Sequence, residues 1–327
     1  MNNHYDIANL PDSDLRDIFQ LVGKEMNLSP ALIEKDFWVS FLLKYLYQDS
    51  PWKEHLLFKG GTCLSKCYGV IQRFSEDIDL LLDWRVLGYS ISGPEIEETR
   101  KKQERSNESL MERTVNFVKE IMCPKMKDDL KKIFAKDFEL ICAGSDLLFK
   151  YPNMFESPNV KSEILMEIGP RGIWGESNEV MVTSYISQRL PELSDERISV
   201  NALALDRTLC EKMLILHTVA SRGKVPDRYS RHYYDVFSIY KSDKFPIVNP
   251  DLIEETAKFK SRFFPGSTYG YDSARLGTLK LSPPKEVYQD LEKDYQWMSV
   301  MIFGIPPSFD TVMNGLDELE KEINSIR

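Results

Sequence analysis

After Ser29 and Pro30, an N-cap followed by a first-turn proline, apolar residues recur at helical spacing: Ile33, Phe37, Val39, Leu42, Leu43 and Leu46, running to Tyr47. The pattern predicts helix through the first fifty residues. It then shortens to a strand-like run, Leu56-Leu57-Phe58, which stops at Gly60-Gly61 and feeds a second short helix from Thr62. A further strand is predicted from Ser75 to Asp83. Because successive strand residues alternate sides, Asp77, Asp79 and Leu81 share one face and Ile78, Leu80 and Leu82 the other.

Residues 90 to 135 carry mixed charge and read as one or two solvated helices behind a looser start. Strand-like runs return at Glu139 to Ile141 and Ser162 to Ile168, the second closed by the turn Gly169-Pro170-Arg171-Gly172. From Asp206 the period is helical again, with Leu209, Met213, Leu216 and Ala220 on one stripe. Another helix is predicted over Tyr233 to Tyr240, after a basic loop. The last starts at Ser308 and carries Phe309, Val312, Met313, Leu316, Leu319 and Ile323. The expected architecture is α/β (α+β): a core with a small mixed sheet over residues 1–200, then a mainly helical domain over 201–327. The cleft is expected at their join.

Composition narrows the class. The 327 residues are 42% hydrophobic and 28% charged, which suits a globular protein and excludes collagenous and low-complexity chains. A net charge of −9 argues against a general coat for polyanions, so any nucleic-acid contact must be a local basic patch. No apolar run nears the roughly 20 residues of a membrane span. The N-terminus has neither the basic nor the apolar region of an export signal, so the expected location is cytoplasmic. Five cysteines include one close pair, Cys63 and Cys67, with no second pair to complete a zinc site; they read as reduced thiols. His4, His55, His217 and His232 have no partners at ligand spacing, and no Walker loop or G-x-S-x-G element is present.

The chemistry concentrates in Gly60-Gly61-Thr62, followed by Asp77 and Asp79 and, on a later strand, Glu167. Two glycines let backbone pass close to a ligand, and a helix starting there directs unpaired N–H groups at phosphate. Carboxylates at i and i+2 on one strand face are hard ligands suited to magnesium, and a third on a neighbouring strand would complete a two-metal site. Glu163 shares the strand face of Glu167; the apolar neighbours Ile164, Leu165, Met166 and Ile168 suggest that Glu167 is buried and needs a cation. Arg73 and Ser75, just ahead of the aspartates, are candidate phosphate ligands by position. Between Arg222 and His232 lie Arg222, Lys224, Arg228 and Arg231 against the single acid Asp227, with Tyr229, Tyr233 and Tyr234 interleaved. Arginines among aromatics suit RNA phosphates and stacked bases.

The run GGTCLSKCYGVIQRFSEDIDLLLD, Gly60 to Asp83, resembles the first motif of the DNA polymerase β-like nucleotidyltransferases, and more narrowly that of the AbiEii group, the toxin half of type IV toxin–antitoxin and abortive-infection systems. Glu34-Lys35-Asp36, Glu211-Lys212 and Arg231-His232-Tyr233-Tyr234-Asp235 extend the resemblance from about Glu34 to Tyr240. It implies magnesium-dependent transfer of a nucleotide from a nucleoside triphosphate to RNA, with the 3′ end of a tRNA as candidate acceptor. The outcome it implies is growth arrest or phage defence. The resemblance assigns Lys212 to the triphosphate and places Asp235 in the active site, where from the residues alone it could instead cap a helix or pair with Arg231. A cognate antitoxin, in this group usually a winged-helix repressor encoded alongside, is the implied partner. Transfer to a protein or small molecule is the alternative on the same site, and a non-catalytic nucleotide-binding module the alternative from another class.

Overall fold

A computed structural model describes residues 3–158, 160–175, 177–265 and 269–326. Among them seven strands form one mixed sheet: β1 (Leu56–Lys59), β2 (Ile78–Leu82), β3 (Glu139–Ala143), β4 (Asp146–Lys150), β5 (Glu163–Gly169), β6 (Ser177–Val182) and β7 (Ile198–Leu203). Their order is β3-β4-β5-β2-β1-β7-β6. The β1–β7 and β2–β5 pairs are parallel and the others antiparallel. The sheet is larger than expected, because β4, β6 and β7 had not been anticipated. Strand β2 is also shorter than predicted, Ile78–Leu82, and residues 72–74 ahead of it bond to 301–303, through Phe74 N–H to Met301 O and Phe303 N–H to Gln72 O.

Helices α1 (His4–Ala8), α2 (Asp12–Met26) and α3 (Pro30–Lys44) precede the sheet. Ser29 caps α3 by accepting from Leu32 N–H, and Pro30 supplies a first-turn residue whose missing N–H costs nothing there. The helix is buried nearly all round because it lies between α2, α7 (Tyr185–Arg189) and strands β5 and β7. Its charged triplet is therefore fully engaged. Glu34 accepts from Met154 N–H (2.9 Å) and Phe155 N–H (3.2 Å). Lys35 donates to Lys161 O and Glu163 O and pairs with Glu76 at 3.2 Å; Asp36 pairs with Lys66 and accepts from Tyr185 N–H. Three consecutive residues, about 100° apart around the axis, thus pin three segments to one helix.

The short α4 (Gly60–Cys63) starts at Gly60, two residues earlier than expected, and continues as a π-helical turn over Leu64–Tyr68 to Gly69. Helices α5 (Arg100–Phe117) and α6 (Cys123–Ile133) occupy the mixed-charge stretch. The C-terminal part comprises α8 (Leu205–Arg222), α9 (Ser230–Tyr240), α10 (Pro250–Phe263), α11 (Tyr288–Ser299) and α12 (Phe309–Ser325), the last capped by Ser308.

Two main apolar cores result. One gathers α1–α3, α5, α6 and one sheet face, with Ile78, Leu80 and Leu82 pointing into it; the other lies among α8 to α12 and takes in Leu64, Val70 and Ile71 from the turn after α4. Each fully buried Leu, Ile or Phe contributes about 1.5–3 kcal/mol. On the opposite sheet face Leu57, Leu81 and Leu203 form a small cluster, and the polar residues beside it open into the cleft. None of the five cysteines forms a disulfide. No helix among the described residues is long and apolar enough to cross a membrane.

Candidate active site

Register builds the site. Lys59 on β1 faces Asp79 on β2, Asp79 faces Glu167 on β5, and Glu167 faces Asp146 on β4. Cross-strand partners share a sheet face, so one cation and three carboxylates form a row across four strands. Asp77 lies just before β2, half-buried beside the row. Burial, then the charges of Glu76 and Asp79, raise the Asp77 carboxyl, while Lys35 and Arg228 pull it back. Glu167 is pushed up to about 7, first by partial loss of solvation at the sheet surface in the cleft and then by Asp79, Asp77 and Asp146, with Arg231 opposing. The crowded negative charge is what a bound cation would relieve. As the side chains stand, the described residues contain no group of three His, Cys, Asp or Glu gathered to hold a metal ion.

Glu167 departs from expectation in one respect: it is exposed on the cleft side of β5, while Ile164, Met166 and Ile168 turn to the core behind it. Its apolar neighbours had suggested burial, but strand alternation sends them the other way. Glu163 is not among the residues lining the cleft, and its carbonyl instead holds Lys35.

The glycine pair fits against the carboxylates. Gly60 has φ +79°, and a Cβ there would fall 1.7 Å from Asp79 Oδ2. At Gly61 a Cβ would come within 2.6 Å of Ser75 Oγ and 2.7 Å of Arg73 Nη2. Only hydrogen fits at either position, which keeps the turn from β1 into α4 open beside Asp79 and Ser75. Thr62 is buried, and its hydroxyl donates to Asp77 O at 2.5 Å and lies 3.0 Å from Ser75 Oγ. Its side chain ties the glycine turn to the aspartate loop rather than facing a ligand.

Across the cleft, Asp235 on α9 is fully buried between two cations. Arg73 Nε donates to its Oδ1 at 2.7 Å and Nη2 to its Oδ2 at 2.8 Å, and Lys212 Nζ on α8 donates to Oδ2 at 2.7 Å. Burial alone would raise the Asp235 carboxyl, yet Arg73 and Lys212 hold it well below the usual carboxylate range. Arg231, the alternative partner, is not the one that holds it. Arg73 and Lys212 both line the cavity with Gly60, Gly61, Asp77, Asp79 and Glu167. His232 lines it too and is kept neutral by burial and by Lys212, Arg231 and Arg73.

The four basic candidates separate. Arg231 lines this cavity and a second one beside it, and Arg228 lines the second. Arg222 sits over the ring of Tyr269 at 4.8 Å, and Lys224 is exposed; neither lines either cavity. Sequence reasoning missed Asp146, whose signal is the turn Gly144-Ser145 between two strand-like runs, and His232, visible only as a member of the basic segment.

The family model for the AbiEii toxin, a nucleotidyl transferase of type IV toxin–antitoxin systems, matches residues 42–315. The chain belongs to the AbiEii family. This AbiEii chain is therefore a nucleotidyltransferase and the toxin of a type IV toxin–antitoxin system, and that membership implies a nucleotide substrate and a cognate antitoxin. Its fold is similar to that of MenT4, a nucleotidyltransferase toxin from Mycobacterium tuberculosis H37Rv, with a TM-score of 0.54 at 14% identity over 94% of this chain and 90% of that one. No curated protein matches it.

Proposed function

We propose that this AbiEii chain transfers the nucleoside monophosphate of a nucleoside triphosphate to a hydroxyl of RNA, with the 3′ end of a tRNA as candidate acceptor. The reaction takes place in the cytoplasm and depends on magnesium. The modified RNA halts growth, as toxin–antitoxin control or phage defence requires, and an antitoxin encoded alongside restrains the enzyme. The observation that carries this reading is one cavity lined by Gly60, Gly61, Lys212, Asp77, Asp79 and Glu167, with Arg231 at its edge.

Magnesium suits the donor set, which consists of hard carboxylate oxygens with unrelieved negative charge. Held by Asp77, Asp79 and Glu167, it would activate the attacking hydroxyl and offset charge on the phosphates. The chain's own residues do the rest. Backbone at Gly60 and Gly61 cradles the triphosphate, and Lys212, oriented by Asp235, faces its charge. Ser75 lines both cavities and supplies a hydroxyl donor to phosphate; Arg73, locked on Asp235, contributes its charge from behind. The acceptor oxygen attacks the α-phosphorus in line as the bond to the β-phosphate breaks. Pyrophosphate leaves, and the hydroxyl proton passes to the carboxylates at Glu167.

The test is label transfer from each α-labelled nucleoside triphosphate to total cellular RNA with magnesium, comparing wild type with Asp77→Ala. Label in a tRNA-sized band that vanishes in the variant supports the reading and identifies the nucleotide. Label on protein alone overturns the RNA acceptor. Nucleotide binding without any transfer overturns catalysis.

A further inference from the structure

At the second cavity stands an exposed tryptophan. Trp297, on α11, is 81% exposed, whereas Trp38, Trp52 and Trp84 are buried and Trp174 is partly covered. Asp294, Trp297 and Met298 follow at i, i+3 and i+4, so they share one helix face. With Met301 they form one side of a cavity whose other side is Phe74, Ser75 and Asp77, and Arg228 and Arg231 complete it.

Two tethers fix this face. The Asp294 carboxylate accepts from Arg228 N–H at 2.7 Å and from Ser230 N–H at 2.8 Å, which holds the arginine loop, with Arg228 in the left-handed region at φ +64°. Beyond the helix, Met301 O accepts from Phe74 N–H at 2.8 Å and Phe303 N–H donates to Gln72 O at 2.7 Å. A large apolar side chain open to water is thus held in register with the aspartate loop and with two guanidinium groups. Here it shares a cavity with Arg228 and Arg231, where single-stranded nucleic acid finds a π face for a base and positive charge for the flanking phosphates.

We infer that Trp297 is the stacking platform for a base at the 3′ end of the single-stranded RNA acceptor, with Arg228 and Arg231 on the adjoining phosphates. The inference rests on the RNA-acceptor reading above. In that reading the donor nucleotide occupies the cavity at Gly60, Gly61 and Lys212, and Trp297 lines only the neighbouring one, which shares Arg73, Ser75, Asp77 and Arg231 with it. A base on Trp297 would therefore bring its strand to Asp77 from the cavity adjoining the donor's.

The experiment titrates the full chain with a short single-stranded RNA bearing a free 3′-hydroxyl, and separately with nucleoside triphosphate. It reads tryptophan emission and the anisotropy of a labelled oligomer, so no turnover is required. The RNA is expected to quench the exposed indole. Trp297→Ala is expected to weaken oligomer binding about 5- to 150-fold, the worth of one base–aromatic stack, and Trp297→Phe to restore most of it. Oligomer binding that is equal in wild type and Trp297→Ala overturns the inference while leaving the RNA acceptor intact. Quenching by nucleoside triphosphate alone overturns it as well, by giving the platform to the donor base. Absence of any RNA binding in wild type refutes the acceptor reading itself, and the inference with it.

Discussion

Asp235 receives Arg73 through two parallel hydrogen bonds of 2.7 and 2.8 Å, joining residues 162 positions apart in the chain. Lys212 bonds the same carboxylate, so one buried anion orients two of the cations that line the cleft. Asp235 thereby ties the loop before β2 to helices α8 and α9 beside the cleft. In the proposed reaction it is a positioning residue that acts through Arg73 and Lys212.

Asp235→Asn keeps the shape and removes the charge, leaving two buried cations without a counterion. Breaking such a buried pair costs about 3–5 kcal/mol. The urea midpoint should fall accordingly, and nucleotidyl transfer should fall even under conditions where the variant remains folded. An unchanged midpoint would show that the Arg73 and Lys212 charges are satisfied elsewhere.

Asp77→Asn and Asp79→Asn should act in the opposite sense on stability. Each removes one of the charges that raise the Glu167 carboxyl, so the variants should be as stable as wild type or slightly more so. Turnover should drop by at least about 100-fold, the scale for losing one preorganised electrostatic group, and chelation of magnesium should have a comparable effect on wild type. A variant with normal turnover would remove that aspartate from the site.

Gly60→Ala places a methyl 1.7 Å from Asp79 Oδ2 at a residue with φ +79°. The left-handed backbone alone costs an L residue about 1–2 kcal/mol, and Asp79 must also move. Loss of transfer should therefore exceed loss of stability when both are measured on the same preparation. Gly69→Ala, with φ +65° and nothing within 4 Å of the added methyl, is the control: strained backbone and intact activity are expected.

Much of this was legible in the sequence. Gly60-Gly61 and Asp79 could be read because β1, the glycine turn into α4 and β2 follow one another in the chain, and β1 and β2 pair directly. Alternation correctly placed Asp79 opposite Ile78 and Leu80. It also had the information to place Glu167 on the open face, but the apolar composition of β5 was taken as burial of the whole strand. Asp146 was missed because it meets Glu167 through the pairing of β4 with β5, a register the sequence pattern does not encode. The grip of Asp235 on Arg73 and of Asp294 on the arginine loop depends on how distant helices pack, which no local pattern encodes. Thr62 looked like a phosphate ligand because the position is right; its burial against Asp77 and Ser75 appears only in three dimensions.

The basic segment offers a test that divides its members. Arg228→Ala and Arg231→Ala, which line the cavities, should each weaken binding of an RNA acceptor about 10-fold and lower the salt dependence of binding. Arg222→Ala and Lys224→Ala lie outside them and should change affinity less than twofold at the same salt. Equal losses at all four positions would point to a diffuse basic surface in place of a defined track.

Glu34 makes folding sensitive to pH in the window it shares with Glu167. Burial pushes its carboxyl up to about 7 from an ordinary 4.5, with the amides of Met154 and Phe155 and the charge of Arg16 pulling part of the way back. Between those values the folded chain holds a proton that the unfolded chain has released. The contribution is thus full below about 4.5 and lost as pH rises through about 7. Glu196 has the opposite sign: burial would raise it, but His4 and Lys44 bring it down to about 2, so its contribution is present above 4.5 and disappears as pH falls toward 2. Glu34→Gln should therefore make the decline in unfolding free energy between pH 4.5 and 7 shallower, leaving the share that Glu167 contributes, and leave the acid limb in place. If denaturant titrations across that range give Glu34→Gln the same slope as wild type, the proton is held elsewhere.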